Sequence, residues 1–161
     1  MAAQIDRYRR LLLKSAVAGG VVDALLAGGL LKATQVQATE WNSGAFTARN
    51  VAEAVKALGA TGSSESGGIT IKTPDIAENG AQVPVDVLST LPGSQTVSVF
   101  VDKNPMPLAA SVSFFNGALP QMRLQIKMAE SSRIRVVVRS ADGKTYHASR
   151  EVKVTLGGCG A

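Results

Sequence analysis

The residue best equipped for covalent chemistry in this sequence is Cys159, in the closing run Gly157-Gly158-Cys159-Gly160-Ala161. A thiol in its thiolate form enters and leaves disulfide-type bonds, so it can serve as nucleophile, metal ligand or attachment point. It is the one cysteine among 161 residues, which excludes an internal disulfide and a cysteine-based structural zinc site. The glycines around it carry no Cβ, so their backbone visits most conformations and the tail is thin. Leu156 to Cys159 spans three residues, about 10 Å when extended, enough to carry a thiol into a narrow channel of another protein. A tail of this kind suits a tethered substrate. It does not supply the fixed base and donors that a catalytic nucleophile needs. No group beside Cys159 favours its ionisation, and a nearby terminal carboxylate opposes it, so an ordinary, mostly protonated thiol is expected. Activation would then fall to a partner. The competing reading is a disordered tail with an incidental cysteine. An unpaired thiol in an exported protein is prone to cross-linking and oxidation, which argues against an accident.

Other chemistry-bearing residues are isolated. His147 stands alone, without a second histidine or a cysteine near it in sequence, and reads as a surface residue. Asp75 and Glu78 have no partner for acid–base work, and Glu78-Asn79-Gly80 reads as a turn. Arg133, Arg135 and Arg139 form a stripe that reads as a solvated face, with attraction of a small anion or acidic partners as the sharper alternative. No catalytic set, cofactor site or metal site is expected.

The elements that must position the thiol follow from hydropathic period. Residues 46–58 carry Val51, Val55 and Leu58 at helical spacing. Asn50 with Glu53 gives a capping signal, Gly59 a stop, and Trp41 a residue that anchors the helix from outside. One short amphipathic helix is expected there. Residues 60–68 read as a flexible linker by composition. From Ile69 the period changes to two: Ile69 and Ile71; Val83, Val85 and Val87; Val97, Val99 and Val101; Val112 and Phe114; Leu124, Ile126 and Met128; Ile134, Val136 and Val138; Val152, Val154 and Leu156. Turn signals at Pro92-Gly93, Asn104 to Pro107, Asn116-Gly117 and Asp142-Gly143 separate them. Seven short strands at this spacing predict a mainly β, immunoglobulin-like antiparallel sandwich over 69–156, preceded by a helix and linker over 39–68 and followed by an arm over 157–161.

Residues 1–38 read as an address. Arg9-Arg10 precede Leu11-Leu12-Leu13-Lys14, a weakly apolar Gly/Ala-rich stretch follows, and Val36-Gln37-Ala38 ends in small or apolar residues. This layout is that of a twin-arginine signal peptide. A retained membrane helix is the alternative, but the stretch is interrupted by Asp23 and is at the short limit for a span. The segment also carries much of the basicity. The chain has 17 Lys and Arg against 12 Asp and Glu, net +5. Without residues 1–38 the counts are 12 and 10, net +2, which removes the case for a nucleic-acid partner. Periplasmic localisation, after export in the folded state, is expected.

The tail resembles the Gly-Gly-Cys-Gly-Gly ending of SoxY, the cysteine-bearing carrier family of the Sox thiosulfate-oxidation system. Three further stretches carry the resemblance: Pro74 to Gly80 leading into Val83-Pro84-Val85; Asn104-Pro105-Met106-Pro107; and Ile126 to Ala129 together with Val152 to Leu156. Ala161 departs from the family's final glycine. The resemblance implies a carrier, not an enzyme. Cys159 would be the sulfur attachment residue and Gly157, Gly158 and Gly160 a swinging arm. The implied partners are a SoxZ-like second subunit, a c-type cytochrome that loads thiosulfate, a sulfate thiohydrolase, and in some organisms a molybdenum sulfane dehydrogenase. The residues add their own hint of a partner. Phe114 and Phe115 are adjacent, so in a strand they face opposite ways. Phe100 opposes Val99 and Val101, and Val137 breaks the arginine stripe. Phe100, Phe115 and Val137 are therefore candidates for a subunit interface, with a local bulge or end-of-sheet cap as the alternative. Two other functions compete with the carrier. A structural subunit cross-linked through Cys159 would be a fixed disulfide dimer. A thiol-dependent sulfur transferase would turn over thiosulfate alone.

Overall fold

Alternating β-branched and polar residues place one face of a strand in an apolar core and the other outside, and each of the seven runs forms a strand in the computed structural model, which describes residues 41–158. The expected signal peptide over 1–38, Cys159 and Gly160 lie outside the described residues.

The elements in chain order are α1 (Ser43–Thr47), α2 (Val51–Ala57), β1 (Ser64–Glu65), β2 (Ile69–Lys72), β3 (Ile76–Asn79), β4 (Val83–Ser89), β5 (Ser94–Val101), β6 (Leu108–Ser113), β7 (Gln121–Ile126), β8 (Ser132–Ser140) and β9 (Thr145–Leu156). They make two sheets. The larger runs β1-β9-β8-β5-β6, with β3 also on β9, and the smaller runs β2-β4-β7. Between them lies the main core, built from Ile69, Ile71, Val83, Val85, Val87, Val97, Val99, Val101, Ile126, Met128, Ile134, Val136, Val138 and Val152 with their neighbours. The pairings among the seven expected strands are antiparallel. The fold is a mainly β sandwich, as the spacing predicts.

Two short strands escape the period-two reading. β1 and β3 pair in parallel with successive parts of the same edge of β9. The stretch read as a linker is therefore tied down: Ser64 pairs with Tyr146, Ser66 N–H donates to the His147 carbonyl at 3.0 Å, and Ser63 Oγ meets His147 Nδ1 at 3.0 Å. Gly68 holds Thr90 through its carbonyl.

The helical segment splits in two. In α2, the Asn50 side chain accepts from Glu53 N–H at 2.9 Å, while the Glu53 carboxylate accepts from Arg49 N–H at 3.3 Å, a reciprocal cap of the kind the Asn50–Glu53 spacing foretells. Gly59 stops it with φ +64°. The shorter α1 is capped by Asn42 Oδ1, which accepts from Ala45 N–H at 3.0 Å. Trp41 stacks on Phe46 with ring centroids 4.2 Å apart.

These helices settle the question of Phe100 and Val137. Both point away from the main core, as their parity requires. They are 0% and 3% exposed, however, packed with Leu108 beneath Ala45, Ala48, Ala54 and Ala60. The expectation that they line a subunit interface is corrected: the chain's own helices cover that face with small alanines that let helix and sheet approach closely. The large sheet is thus apolar on both sides at its centre, and Val136, Val137 and Val138 are consecutively buried.

Candidate functional site

The last strand, β9, runs twelve residues along the sheet and delivers the chain to Gly157 and Gly158. Its final third is held on both sides. Toward β3, Ile76 pairs with Lys153, Ala77 with Val154 and Asn79 with Leu156. Lys153 N–H donates to the Asp75 carbonyl at 2.9 Å, and Thr155 Oγ1 donates to the Glu78 carbonyl at 2.8 Å. Toward β8, Val154 N–H donates to Ser131 Oγ at 2.8 Å.

Beyond β9 three segments meet backbone to backbone. Gly80 N–H donates to the Leu156 carbonyl at 2.7 Å, Met128 N–H donates to the Gly80 carbonyl at 2.7 Å, and Gly158 N–H donates to the Met128 carbonyl at 2.8 Å. Asn104 braces the third segment from the turn after β5. Its Nδ2 donates to the Lys127 carbonyl at 2.7 Å and its Oδ1 accepts from Ala129 N–H at 2.9 Å. Asn79 forms the turn into this junction by accepting Ala81 N–H on its side-chain oxygen at 2.8 Å. The turn expected at Glu78-Asn79-Gly80 is shifted: Glu78 and Asn79 close strand β3, and the chain turns at Gly80 and Ala81.

Gly157 and Gly158, expected as members of a swinging arm, lie at this junction. A Cβ on Gly157 would run into the Ala129 carbonyl oxygen, and one on Gly158 into the backbone of Gly80 and Ala81.

The stretches that carry the family resemblance converge here. Gly80, Asn104, Met128 and Leu156 come from the separate segments and meet around the exit of the chain. Sequence order gave no sign of that convergence.

The remaining candidates lie elsewhere. Phe115 is 67% exposed in the connection from β6 to β7, with Val112 and Leu119 also exposed. Strand register puts it at the end of the sandwich where β5 begins, whereas Gly158 is at the end where β5 stops. In the arginine stripe, Arg135 grips Asp102 with two contacts, Nη2–Oδ2 at 3.1 Å and Nε–Oδ1 at 3.3 Å. On the outer face of the small sheet, Asp86 accepts from Arg123 Nε at 2.8 Å in a shallow groove, and that contact raises the Arg123 pKa above its usual value. Among the described residues no three His, Cys, Asp or Glu side chains gather as a metal site, and no helix is long and apolar enough to cross a membrane.

Residues 54–159 match the family described as sulfur oxidation protein SoxY. Among solved structures, the sulfur carrier protein SoxY from Chlorobium limicola f thiosulfatophilum is 44% identical, with a TM-score of 0.53 over 57% of this chain and 83% of that one. A superoxide reductase (neelaredoxin) from Ignicoccus hospitalis is 18% identical, with a TM-score of 0.48 over 53% of this chain and 79% of that one. No curated protein matches.

Proposed function

The chain belongs to the SoxY family of sulfur oxidation proteins, carriers of sulfur and not catalysts, and from that premise we propose that Cys159 covalently holds sulfur derived from thiosulfate while other proteins act on it. The observation that carries this reading is the extent of the family match, which runs through the backbone junction at Gly80, Met128 and Gly158 and ends on Cys159.

The loading step joins the Cys159 sulfur to the sulfane sulfur of thiosulfate. The thiol gives up its proton, and the forming S–S bond releases two electrons to a c-type cytochrome. The product is a cysteine S-thiosulfonate. A sulfate thiohydrolase then adds water across the bond between sulfane and sulfonate sulfur. Sulfate leaves with the water oxygen, one proton is released, and the other proton stays on a cysteine persulfide. In organisms that have one, a molybdenum sulfane dehydrogenase oxidises the remaining sulfane sulfur on the cysteine to a sulfonate, three waters supplying its oxygens while six electrons and seven protons leave. The protein's contribution is to keep a reactive sulfur species from diffusing away and to present it at a defined exit. The Sox family supports a SoxZ-like second subunit as a standing partner. The basic, twin-arginine-like segment over 1–38 supports a periplasmic location.

Mass analysis of the Cys159 peptide tests the proposal. After incubation of the full chain with its partner subunit, the loading cytochrome and thiosulfate, the peptide is expected to gain one thiosulfate. The addition is lost to reductant and absent from Cys159→Ser. A fixed disulfide dimer indifferent to thiosulfate would replace the carrier with a cross-linked structural subunit. Thiosulfate turnover by the isolated chain would make it an enzyme.

A further inference from the structure

We propose that Asn116 is a site of self-modification: its side-chain amide condenses with the Gly117 nitrogen and the ring opens with water to isoaspartate or aspartate. The product places a carboxylate on the exposed apolar patch of Val112, Phe115 and Leu119. The proposal does not depend on Cys159 or on the carrier reading.

The chain holds two Asn-Gly pairs, Asn79-Gly80 and Asn116-Gly117. Glycine after asparagine leaves the peptide nitrogen open to the side-chain carbonyl carbon, because no β-carbon stands in the way. In the ring-closing step the Gly117 nitrogen loses its proton and bonds to Asn116 Cγ. The bond from Cγ to the amide nitrogen breaks, and that nitrogen takes up a proton and leaves as ammonia. Water then adds to one of the two ring carbonyls. Opening at the backbone carbonyl gives isoaspartate, with one more carbon in the main chain, and opening at Cγ gives aspartate. One water is consumed and one ammonia released, and no electrons are exchanged.

The fold treats the two pairs differently. At Asn79-Gly80 both reacting groups are engaged. Gly80 N–H donates to the Leu156 carbonyl at 2.7 Å, and Asn79 Oδ1 accepts from Ala81 N–H at 2.8 Å. Asn79 also lies in β3, in register with β9. Ring closure there must break the end of a ladder. At Asn116-Gly117 no backbone carbonyl among the described residues accepts from Gly117 N–H. Both residues are exposed, and the space beside the Gly117 α-carbon is open. One hydrogen bond closes the turn, from Ala118 N–H to the Phe115 carbonyl at 3.1 Å. Among the described residues Asn116 is the one non-glycine residue with positive φ, +55°, and Gly117 follows at +74°. That left-handed backbone is sterically costly for a residue with a Cβ. The rotation that brings Cγ to the Gly117 nitrogen therefore leaves a strained state.

The product changes the surface around it. Asn116 lines a hollow of about 330 Å³ with Leu91, Phe114 and Phe115. A carboxylate resists burial against apolar side chains, so conversion turns this end of the sandwich from an apolar surface into a charged one.

Peptide mapping of the full chain by mass spectrometry, after timed incubation at mildly alkaline pH, folded and in urea, tests the proposal. In urea both pairs are open and convert at similar rates. In the folded chain Asn116 is expected to convert within about fivefold of its rate in urea, and Asn79 at least about tenfold more slowly than in urea. Isoaspartate and aspartate both appear at position 116, with matching release of ammonia. Gly117→Ala sets a Cβ beside the attacking nitrogen and should slow conversion at least about tenfold in both states. If that variant fails to fold, the wild-type rates still decide. Asn116 slowed more than about fivefold by folding overturns the proposal, because the turn then locks it. So do equal folded-state rates at Asn79 and Asn116.

Discussion

Asn104 and Ala129 share a hydrogen bond of 2.9 Å that ties the turn after β5 to the segment that follows β7. The same Asn104 side chain donates to the Lys127 carbonyl at 2.7 Å, so one residue satisfies two backbone groups of a strandless stretch. Asn104→Ala leaves both groups without that partner. Each lost bond costs about 1 kcal/mol where water can substitute, so a destabilisation of about 1–3 kcal/mol is expected. Urea denaturation of the full chain measures it. A midpoint unchanged from wild type would mean that Asn104 decorates the junction without bracing it.

The sequence made the sandwich legible and the junction illegible, for one physical reason. Period-two alternation is a local property, and all seven runs that show it became strands. β1 and β3 show none. Each is short and pairs with the edge of β9, which is distant in sequence, so nothing in Ser64-Glu65 or Ile76 to Asn79 alone announces a strand. Parity also revealed a second apolar surface at Phe100 and Val137. It carried no information on what would cover it, and the cover is α1 and α2 of the same chain. Gly80 poses the same difficulty more sharply. A glycine needed for freedom and one needed for close approach look alike until the facing backbone of Met128 is known.

Asp102 and Arg135 form the best-shielded ion pair among the described residues, with side chains 23% and 28% exposed and two contacts between them. The contact turns part of the arginine stripe into structure. Removing the carboxylate in Asp102→Ala strands a half-buried guanidinium, and a loss of about 1–3 kcal/mol is expected. The double variant Asp102→Ala/Arg135→Ala should lose less than the two single changes combined. Thermal melts of all four proteins give the coupling. Strict additivity would show that the pair contributes nothing as a pair.

Asp142 predicts a small acid sensitivity in the β8–β9 hairpin. Its Oδ1 accepts from Lys144 N–H at 3.1 Å, and that bond, with Lys144's side chain, lowers the carboxyl pKa. A depressed folded-state pKa stabilises the folded form above the unfolded value, and the contribution is lost as pH falls through the folded value. Wild type should therefore lose hairpin stability as pH drops below the ordinary aspartate range, near 4, while Asp142→Asn shows a flatter profile there. Amide exchange of Gly143 and Lys144 against pH is the measurement. Parallel profiles for the two proteins would remove Asp142 from the acid response.

Phe100 and Phe115 separate core from candidate contact surface. Phe100 is fully buried between the large sheet and the helices, so Phe100→Ala opens a cavity and should cost about 3–5 kcal/mol. It should also loosen α1 and α2, whose alanines pack against it. Phe115 is mostly exposed, and Phe115→Ser should change the stability of the isolated chain by no more than about 0.5 kcal/mol. If the exposed set of Val112, Phe115 and Leu119 is where a second subunit sits, the same substitution removes a desolvated aromatic contact. The affinity should then fall tenfold or more, equivalent to about 1.4 kcal/mol. Calorimetric titration of the SoxZ-like partner into wild type, Phe115→Ser and Phe100→Ala distinguishes the roles. Affinity unchanged in a stably folded Phe115→Ser would move the contact surface elsewhere on the sandwich, with the outer edge of β6, unpaired among the described residues, the next place to examine.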